Sequence, residues 1–214
     1  MVVIVGGMIG IGKTTTSKML GKETGLKVYY ESVEGNKVLP LFYTSSKEEK
    51  EKYRYPFLLQ LSFLRSRFHA IKEALKNDNA IMDRSIYEDY YFAKKNFELG
   101  NINEMEMDLY EGLLSEMMDE LNLLPKKSPD VMVYLHGSFE TVLNRIKERG
   151  RSFELDSELV SYYKFLYDGY DEWVHSSYKA SPIISIDVDK KDIVYNESDK
   201  KEFLEELSRY NKIK

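Results

Sequence analysis

Val2-Val3-Ile4-Val5-Gly6-Gly7-Met8-Ile9-Gly10-Ile11-Gly12-Lys13-Thr14-Thr15 decides the reading of this chain. An apolar run, Val2–Val5, leads into G-x-x-x-x-G-K-[ST] at Gly7–Thr14, and Lys13–Glu23 continues as a helix. Strand, glycine loop and helix in that order place backbone N–H groups and a helix N-terminus around an anion. Glycines let the backbone curl round phosphate without a Cβ in the way. The set Gly7, Met8, Ile9, Gly10, Ile11, Gly12, Lys13, Thr14 and Thr15 is therefore read as a triphosphate cradle. Within it Lys13 faces the β/γ-phosphates and the Thr14 hydroxyl ligates Mg²⁺. A dinucleotide-binding loop fits less well, because Gly10-Ile11-Gly12-Lys13-Thr14-Thr15 has Thr where G-x-G-x-x-G needs its last glycine.

At 214 residues the chain is read as one domain, residues 1–214, long enough to bury a core. A net charge of -5 and a pI near 5.4 argue against a nucleic-acid-binding surface. The longest apolar runs are four or five residues, too short to span a membrane. The first apolar residues are the loop strand itself, so no signal peptide is expected. The absence of cysteine excludes disulfides and thiolate metal sites and fits a cytoplasmic protein. His69, His136 and His175 are too scattered to make a histidine metal site.

Beyond the loop, strands are expected at Lys27–Tyr30, Ala80–Met82, Val131–Leu135 and Ile183–Ile186. Helices are expected at Tyr55–Lys76, Tyr87–Leu99, Asn103–Leu123, Phe139–Glu148, Asp156–Tyr178 and Ser198–Tyr210. Ser45–Lys52 reads as a charged loop or helix start, and Pro125–Pro129 as a connector. Short apolar strands alternating with helices imply an α/β fold: a five-stranded parallel sheet covered by helices on both faces.

Ligands in such sheets bind beyond the carboxyl ends of the strands. The second strand runs into Glu31 and the third into Asp83-Arg84-Ser85, so two carboxylates and an arginine converge on the loop. A carboxylate there can ligate Mg²⁺ or accept a proton from an attacking hydroxyl, and an arginine can neutralise a transferring phosphoryl group. Alternatively, acids end strands because strand ends are solvated.

On the long helix, Leu58, Leu61, Leu64, Phe68, Ile71 and Leu75 form a core-facing stripe. Gln60, Phe63 and Arg67 lie off it in one row, two turns from end to end. An amide, a ring and a guanidinium in that row suit a nucleobase. From the helix alone, a polar flank facing water is the plainer alternative. Arg145 and Arg149 share a helix face and Gly150 hinges Arg151, which reads either as an arginine-rich lid over about residues 145–154 or as a solvated basic helix end.

The order of phosphate loop, Glu31, Tyr43, Gln60 to Arg67, Asp83-Arg84-Ser85 to Asp89 and Arg149-Gly150-Arg151 to Glu154 resembles the deoxyribonucleoside kinase family. It is most similar to the bacterial and viral deoxyadenosine/deoxyguanosine kinases. The resemblance covers nearly the whole chain. It implies a P-loop kinase fold, ATP and Mg²⁺, transfer to the 5′-hydroxyl of a deoxynucleoside, and a homodimer through the helices near Tyr87–Leu99 and Asn103–Leu123.

Carried over by residue, Glu31 would take the 5′-hydroxyl proton and Asp83 would help hold Mg²⁺. Arg84 would contact the reacting phosphate. Tyr43 and Glu154 would bind the 3′-hydroxyl, and Gln60 the base edge. Arg67 and Asp89 would close the base pocket, a pair that thymidine-preferring members lack. Bulky Phe63 stands where cytidine-using relatives carry a small residue. Arg145, Arg149 and Arg151 would be lid arginines, and Asp192 would lie at the donor adenine. Where many members read Glu-Pro-Val, this chain has Glu31-Ser32-Val33.

Two rival functions remain. A thymidylate-type nucleoside monophosphate kinase shares the loop, the Asp-Arg element and a lid, but needs no carboxylate placed like Glu31. A GTPase-type switch normally carries Asp-x-x-Gly and Asn-Lys-x-Asp, which this sequence lacks.

Overall fold

A computed structural model describes residues 1–31, 35–150 and 157–211. Its five strands are β1 (Val2–Gly7), β2 (Lys27–Tyr29), β3 (Ala80–Asp83), β4 (Val131–His136) and β5 (Ile183–Asp187). All pair in parallel, in the order β2-β3-β1-β4-β5. The chain leaves β1 towards β2 on one side and later towards β4 on the other. The carboxyl end of central β1 therefore opens a crevice between diverging connections, where open α/β sheets bind ligands.

The described helices are α1 (Lys13–Thr24), α2 (Val38–Thr44), α3 (Lys47–Lys52), α4 (Tyr55–Asn77), α5 (Ile86–Glu98), α6 (Glu104–Asn122), α7 (Phe139–Arg149), α8 (Ser157–Asp168), α9 (Tyr170–Ser177) and α10 (Glu197–Ser208). Side chains alternate along a strand, and β1 shows it. Val3 and Val5 pack with Leu20 of α1, Val142 of α7, Leu166 of α8 and Phe203 of α10. Val2 and Ile4 pack on the opposite face with Leu64 and Ile71 of α4 and Tyr110 of α6. Every residue of β1 is buried, as expected for a strand covered on both sides.

Of the two readings of Ser45–Lys52 the structure bears out the helix start, and two other local expectations are corrected. Ser45–Lys52 contains helix α3, started by a capping box in which Ser46 accepts from the Glu49 N–H at 3.2 Å and Glu49 accepts from the Ser46 N–H at 3.0 Å. Short α2, with Pro40 in its first turn, has too few residues to display a helical repeat. The single helix expected at Asp156–Tyr178 is two, α8 and α9, broken at Gly169. Glycine is a poor helix former, and a Cβ there would lie 3.0 Å from the Tyr91 hydroxyl oxygen; Asp156 itself lies outside the described residues. The α4 stripe also shifts at its start. Leu58 is exposed, while Leu59 is buried with Leu39 and Phe42 of α2 in a small separate cluster.

Candidate active site

The phosphate loop joins β1 to α1. Geometry requires its glycines, as Gly7 and Gly12 show. Gly7 has φ +142°, and a Cβ there would sit 2.5 Å from the Leu135 carbonyl oxygen. Gly12 has φ +109°, and its Cβ would meet the Arg145 guanidinium at 3.0 Å. The Lys13 ammonium donates to the Met8 carbonyl at 2.8 Å. Burial, then repulsion from Arg84, pull its pKa down to about 7 against the attraction of Glu31, Asp83 and Glu88.

The register of the sheet explains what gathers beside the loop. Val5 pairs with Asp83 and Tyr29 with Met82, so Glu31 and Arg84 each lie two residues past a paired position on neighbouring strands. The Arg84 Nε stands 3.6 Å from Glu31 Oε1. Arg84 holds a left-handed backbone, φ +69°, which is unfavourable for a side chain and is found where surroundings over-determine it. Those surroundings are on view: its N–H donates to Val5 O at 3.0 Å, its Nη2 donates to Gly7 O at 3.1 Å, and its guanidinium lies 4.4 Å over the Phe92 ring.

Thr14 donates its hydroxyl to Asp83 Oδ2 at 2.5 Å. The other carboxylate oxygen, Oδ1, is buried without a hydrogen-bond partner. Burial raises the Asp83 pKa, and Lys13 and Thr14 oppose the rise. A hydroxyl beside an unused carboxylate oxygen fits a Mg²⁺ that takes one or two protein oxygens and fills its shell with phosphate and water.

A cavity of about 630 Å³ opens on this loop. Arg145, Arg149 and Asp192 are among the residues that line it. Arg145 donates to the Ile11 carbonyl, tying α7 to the loop. Asp192 turns inward on its own chain, accepting from the Val194 and Tyr195 N–H groups. Tyr43, Gln60, Phe63, Arg67 and Glu31 line the cavity as well.

Gln60 and Arg67 are 4% and 5% exposed, which overturns the solvent-facing reading of this helix flank. Among the described residues nothing hydrogen-bonds the Gln60 amide, which is thus open to the cavity. Arg67 lies 4.5 Å over the Phe63 ring and pairs with both Glu31 and Asp89. Asp89, 1% exposed, stands behind Arg67 rather than on the cavity wall. Gly7, Met8 and Asp83 likewise lie beneath the wall. Burial would raise the Glu31 carboxyl, but the charges of Arg67, Arg84 and Lys13 outweigh it and bring it down to about 2. Arg151 and Glu154 lie outside the described residues.

A family model described as deoxynucleoside kinase matches residues 3–211. The chain belongs to the deoxynucleoside kinase family. This kinase is 44% identical over 209 residues to a deoxyguanosine kinase of Lactobacillus acidophilus, covering 96% of this chain and 89% of that protein. It is 40% identical to a deoxyadenosine kinase of the same organism, covering 96% and 94%. The solved structure of deoxyadenosine kinase from M. mycoides with bound dATP superposes with a TM-score of 0.79 at 29% identity, over 97% of this chain and 100% of that one.

Sequence reasoning missed several residues of the kinase's site. Phe92 and Tyr162 also line the cavity; Tyr162 is held by the Asn96 amide at 3.1 Å. Leu39, Phe42 and Leu59 also line it, from the unread α2 and the shifted start of α4. Glu88, fully buried, accepts from the Gly7 N–H at 3.3 Å and from the Tyr170 hydroxyl. The one available signal was its adjacency to Asp89 in Asp83-Arg84-Ser85-Ile86-Tyr87-Glu88-Asp89.

Proposed function

We propose that this kinase moves the γ-phosphoryl group of ATP to the 5′-hydroxyl of a purine 2′-deoxynucleoside, yielding the monophosphate in cytoplasmic salvage. The observation that carries the reading is a single cavity lined by the phosphate loop, by the Glu31 carboxylate, and by the amide of Gln60, the ring of Phe63 and the guanidinium of Arg67.

Glu31 accepts the proton of the 5′-hydroxyl, a poor nucleophile at neutral pH. Ionised down to about pH 2, it is free of a proton at every working pH. Lys13, Arg84 and the lid arginines Arg145, Arg149 and Arg151 hold phosphoryl oxygens, which is the main source of acceleration in phosphoryl transfer. Thr14 and Asp83 would hold Mg²⁺, which neutralises charge on the phosphates when bound. Tyr43 and Glu154 hold the 3′-hydroxyl, and Asp192 lies at the donor base.

For the acceptor base, Gln60 offers its open amide. The Arg67–Asp89 pair presents fixed, charge-assisted partners that suit a purine N7 and 6-substituent. Thymine would press its methyl on these groups and desolvate them, a penalty of roughly 1–3 kcal/mol. The names of the relatives, which act on deoxyguanosine and deoxyadenosine, support the same choice. A homodimer through α6 is supported by Met105, Leu109 and Leu113, an apolar row at four-residue spacing that is 80%, 54% and 37% exposed. Competition of the four deoxynucleosides and four monophosphates for labelled ATP tests the reading. Deoxyadenosine or deoxyguanosine should lead, deoxycytidine follow and thymidine trail; the highest kcat/KM with thymidine, or with a monophosphate, refutes it.

A further inference from the structure

Glu88 belongs to α5, three residues after Ser85, and accepts from the Ser85 N–H at 3.2 Å. That bond is half of an ordinary capping box, a device of helix ends that is normally solvated. Two features exceed it. The side chain is fully buried. It also takes two donors from outside its helix, the Gly7 N–H at 3.3 Å and the Tyr170 hydroxyl of α9. Helix capping requires neither.

Gly7 is the first glycine of the phosphate loop, and its peptide groups are gripped on both sides. Its N–H goes to Glu88 and its carbonyl accepts from Arg84 at 3.1 Å. The sequence cooperates, since Gly6 leaves its would-be Cβ position 3.4 Å from Glu88 Oε1. Burial works against charge on both Lys13 and Arg84, and Glu88 is among the carboxylates that oppose this at each of them.

We propose that Glu88 is a positioning residue for phosphoryl transfer: anchored by Tyr170, its carboxylate sets the Gly7 peptide and thereby the aim of the loop N–H groups at the triphosphate. Glu88 touches no substrate. It acts through Gly7, and Tyr170 acts through Glu88. The proposal rests on the phosphate loop being the donor site, which turnover of a purine deoxynucleoside by the wild-type kinase decides separately.

Glu88→Gln keeps the volume but replaces one acceptor oxygen by a donor, so the carboxylate's three bonds cannot all survive. A misaimed catalytic group costs up to about 100-fold, so kcat/KM for the triphosphate should fall about tenfold or more. KM for the deoxynucleoside should stay within about twofold, because Glu88 does not line the cavity and the residues proposed to bind the nucleoside are unchanged. Triphosphate affinity by calorimetry should weaken in parallel, without reference to turnover. Tyr170→Phe should move the same quantities in the same direction by less. The double variant should be no worse than Glu88→Gln alone, since the two act as one unit. Wild-type triphosphate KM, affinity and kcat in Glu88→Gln, with only its melting temperature lowered, would reduce the residue to a helix cap and overturn the proposal. If Glu88→Gln does not fold, Tyr170→Phe decides alone: unaltered triphosphate kinetics and affinity refute it, and a loss confined to the triphosphate supports it.

Discussion

Glu31→Gln separates the acid–base part of the reaction from everything else in the site. The amide keeps the shape and can still accept a hydrogen bond, but it cannot take a proton. Its removal leaves Arg67 paired with Asp89, while Arg84 loses its ion pair with Glu31 but keeps its hydrogen bond to the Gly7 carbonyl and the field of Glu88, so the fold should persist. A carboxylate held at about 2 by Arg67 and Arg84 is a weak base, so its contribution should lie at the lower end of the general-base range, ~100-fold. That corresponds to about 3 kcal/mol of barrier.

The pH behaviour follows from the sign of the shift. Folding lowers this carboxyl from 4.5 to about 2. Its stabilising contribution is therefore fully present above the unfolded value and is lost as pH falls through the folded one. Stability of wild type relative to the variant should hold at neutral pH and shrink only on descending from about 4.5 towards about 2. Glu31 remains ionised throughout an assay range of about pH 5 to about pH 8, so the wild-type to variant ratio of kcat should be constant there. Labelled ATP, a saturating deoxynucleoside and chromatographic separation of the monophosphate provide the measurement. Undiminished turnover rejects Glu31 as the base. A ratio that collapses between about pH 7 and about pH 5 rejects the depressed pKa and the pairing that causes it.

Lys13→Ala should cut turnover by orders of magnitude while the melting temperature holds, because its charge is required in the transition state; wild-type turnover on every acceptor tried would remove the loop from the mechanism. Arg67→Met with Asp89→Ala should raise thymidine kcat/KM relative to deoxyadenosine by roughly one to two decades, and an unchanged ratio refutes their role in base choice. Arg67→Met alone strands buried Asp89 and should destabilise by about 3–5 kcal/mol in denaturant titration, more than the double variant; equal losses would show that the pair is not coupled. Leu109→Glu should place a charge in the α6 row and yield monomers by light scattering; an unaltered mass would exclude that face as the dimer contact.

Much of this site was legible because the chemistry sits where chain geometry is simple. The loop of Gly7–Thr14 is contiguous, and Glu31, Asp83 and Arg84 directly follow strands, so topology alone brings them together. The row Gln60–Phe63–Arg67 could be seen as aligned, but not as buried. Which face of α4 meets water depends on α2 and on α5, and α2 is only about two turns long with proline inside it. Glu88 was illegible for a different reason. Its partners Gly7 and Tyr170 are 81 and 82 residues away, and its spacing from Ser85 already had a sufficient local explanation. The break at Gly169 depended likewise on the remote Tyr91.

The set of buried charges at this crevice is hard to account for as stabilisation. Lys13, Arg67, Arg84, Asp83, Glu88 and Asp89 are each at most 6% exposed, and desolvating a charge costs several kcal/mol even after relaxation. Mutual pairing offsets that cost without exceeding what well-packed apolar side chains would contribute. The arrangement nevertheless has an internal logic. Arg67 links Glu31, on the cavity wall, to Asp89, which stands behind it. Arg84 links that same Glu31 to the loop peptide gripped by Glu88. On the proposed roles, base recognition, proton acceptance and the phosphate loop share guanidinium groups, each side chain held in place by its neighbours. Preorganised dipoles and charges in a water-poor cleft are what lowers a barrier whose main demand is charge stabilisation. On the proposed reading, the costly set serves function: an arriving substrate meets groups already fixed relative to one another.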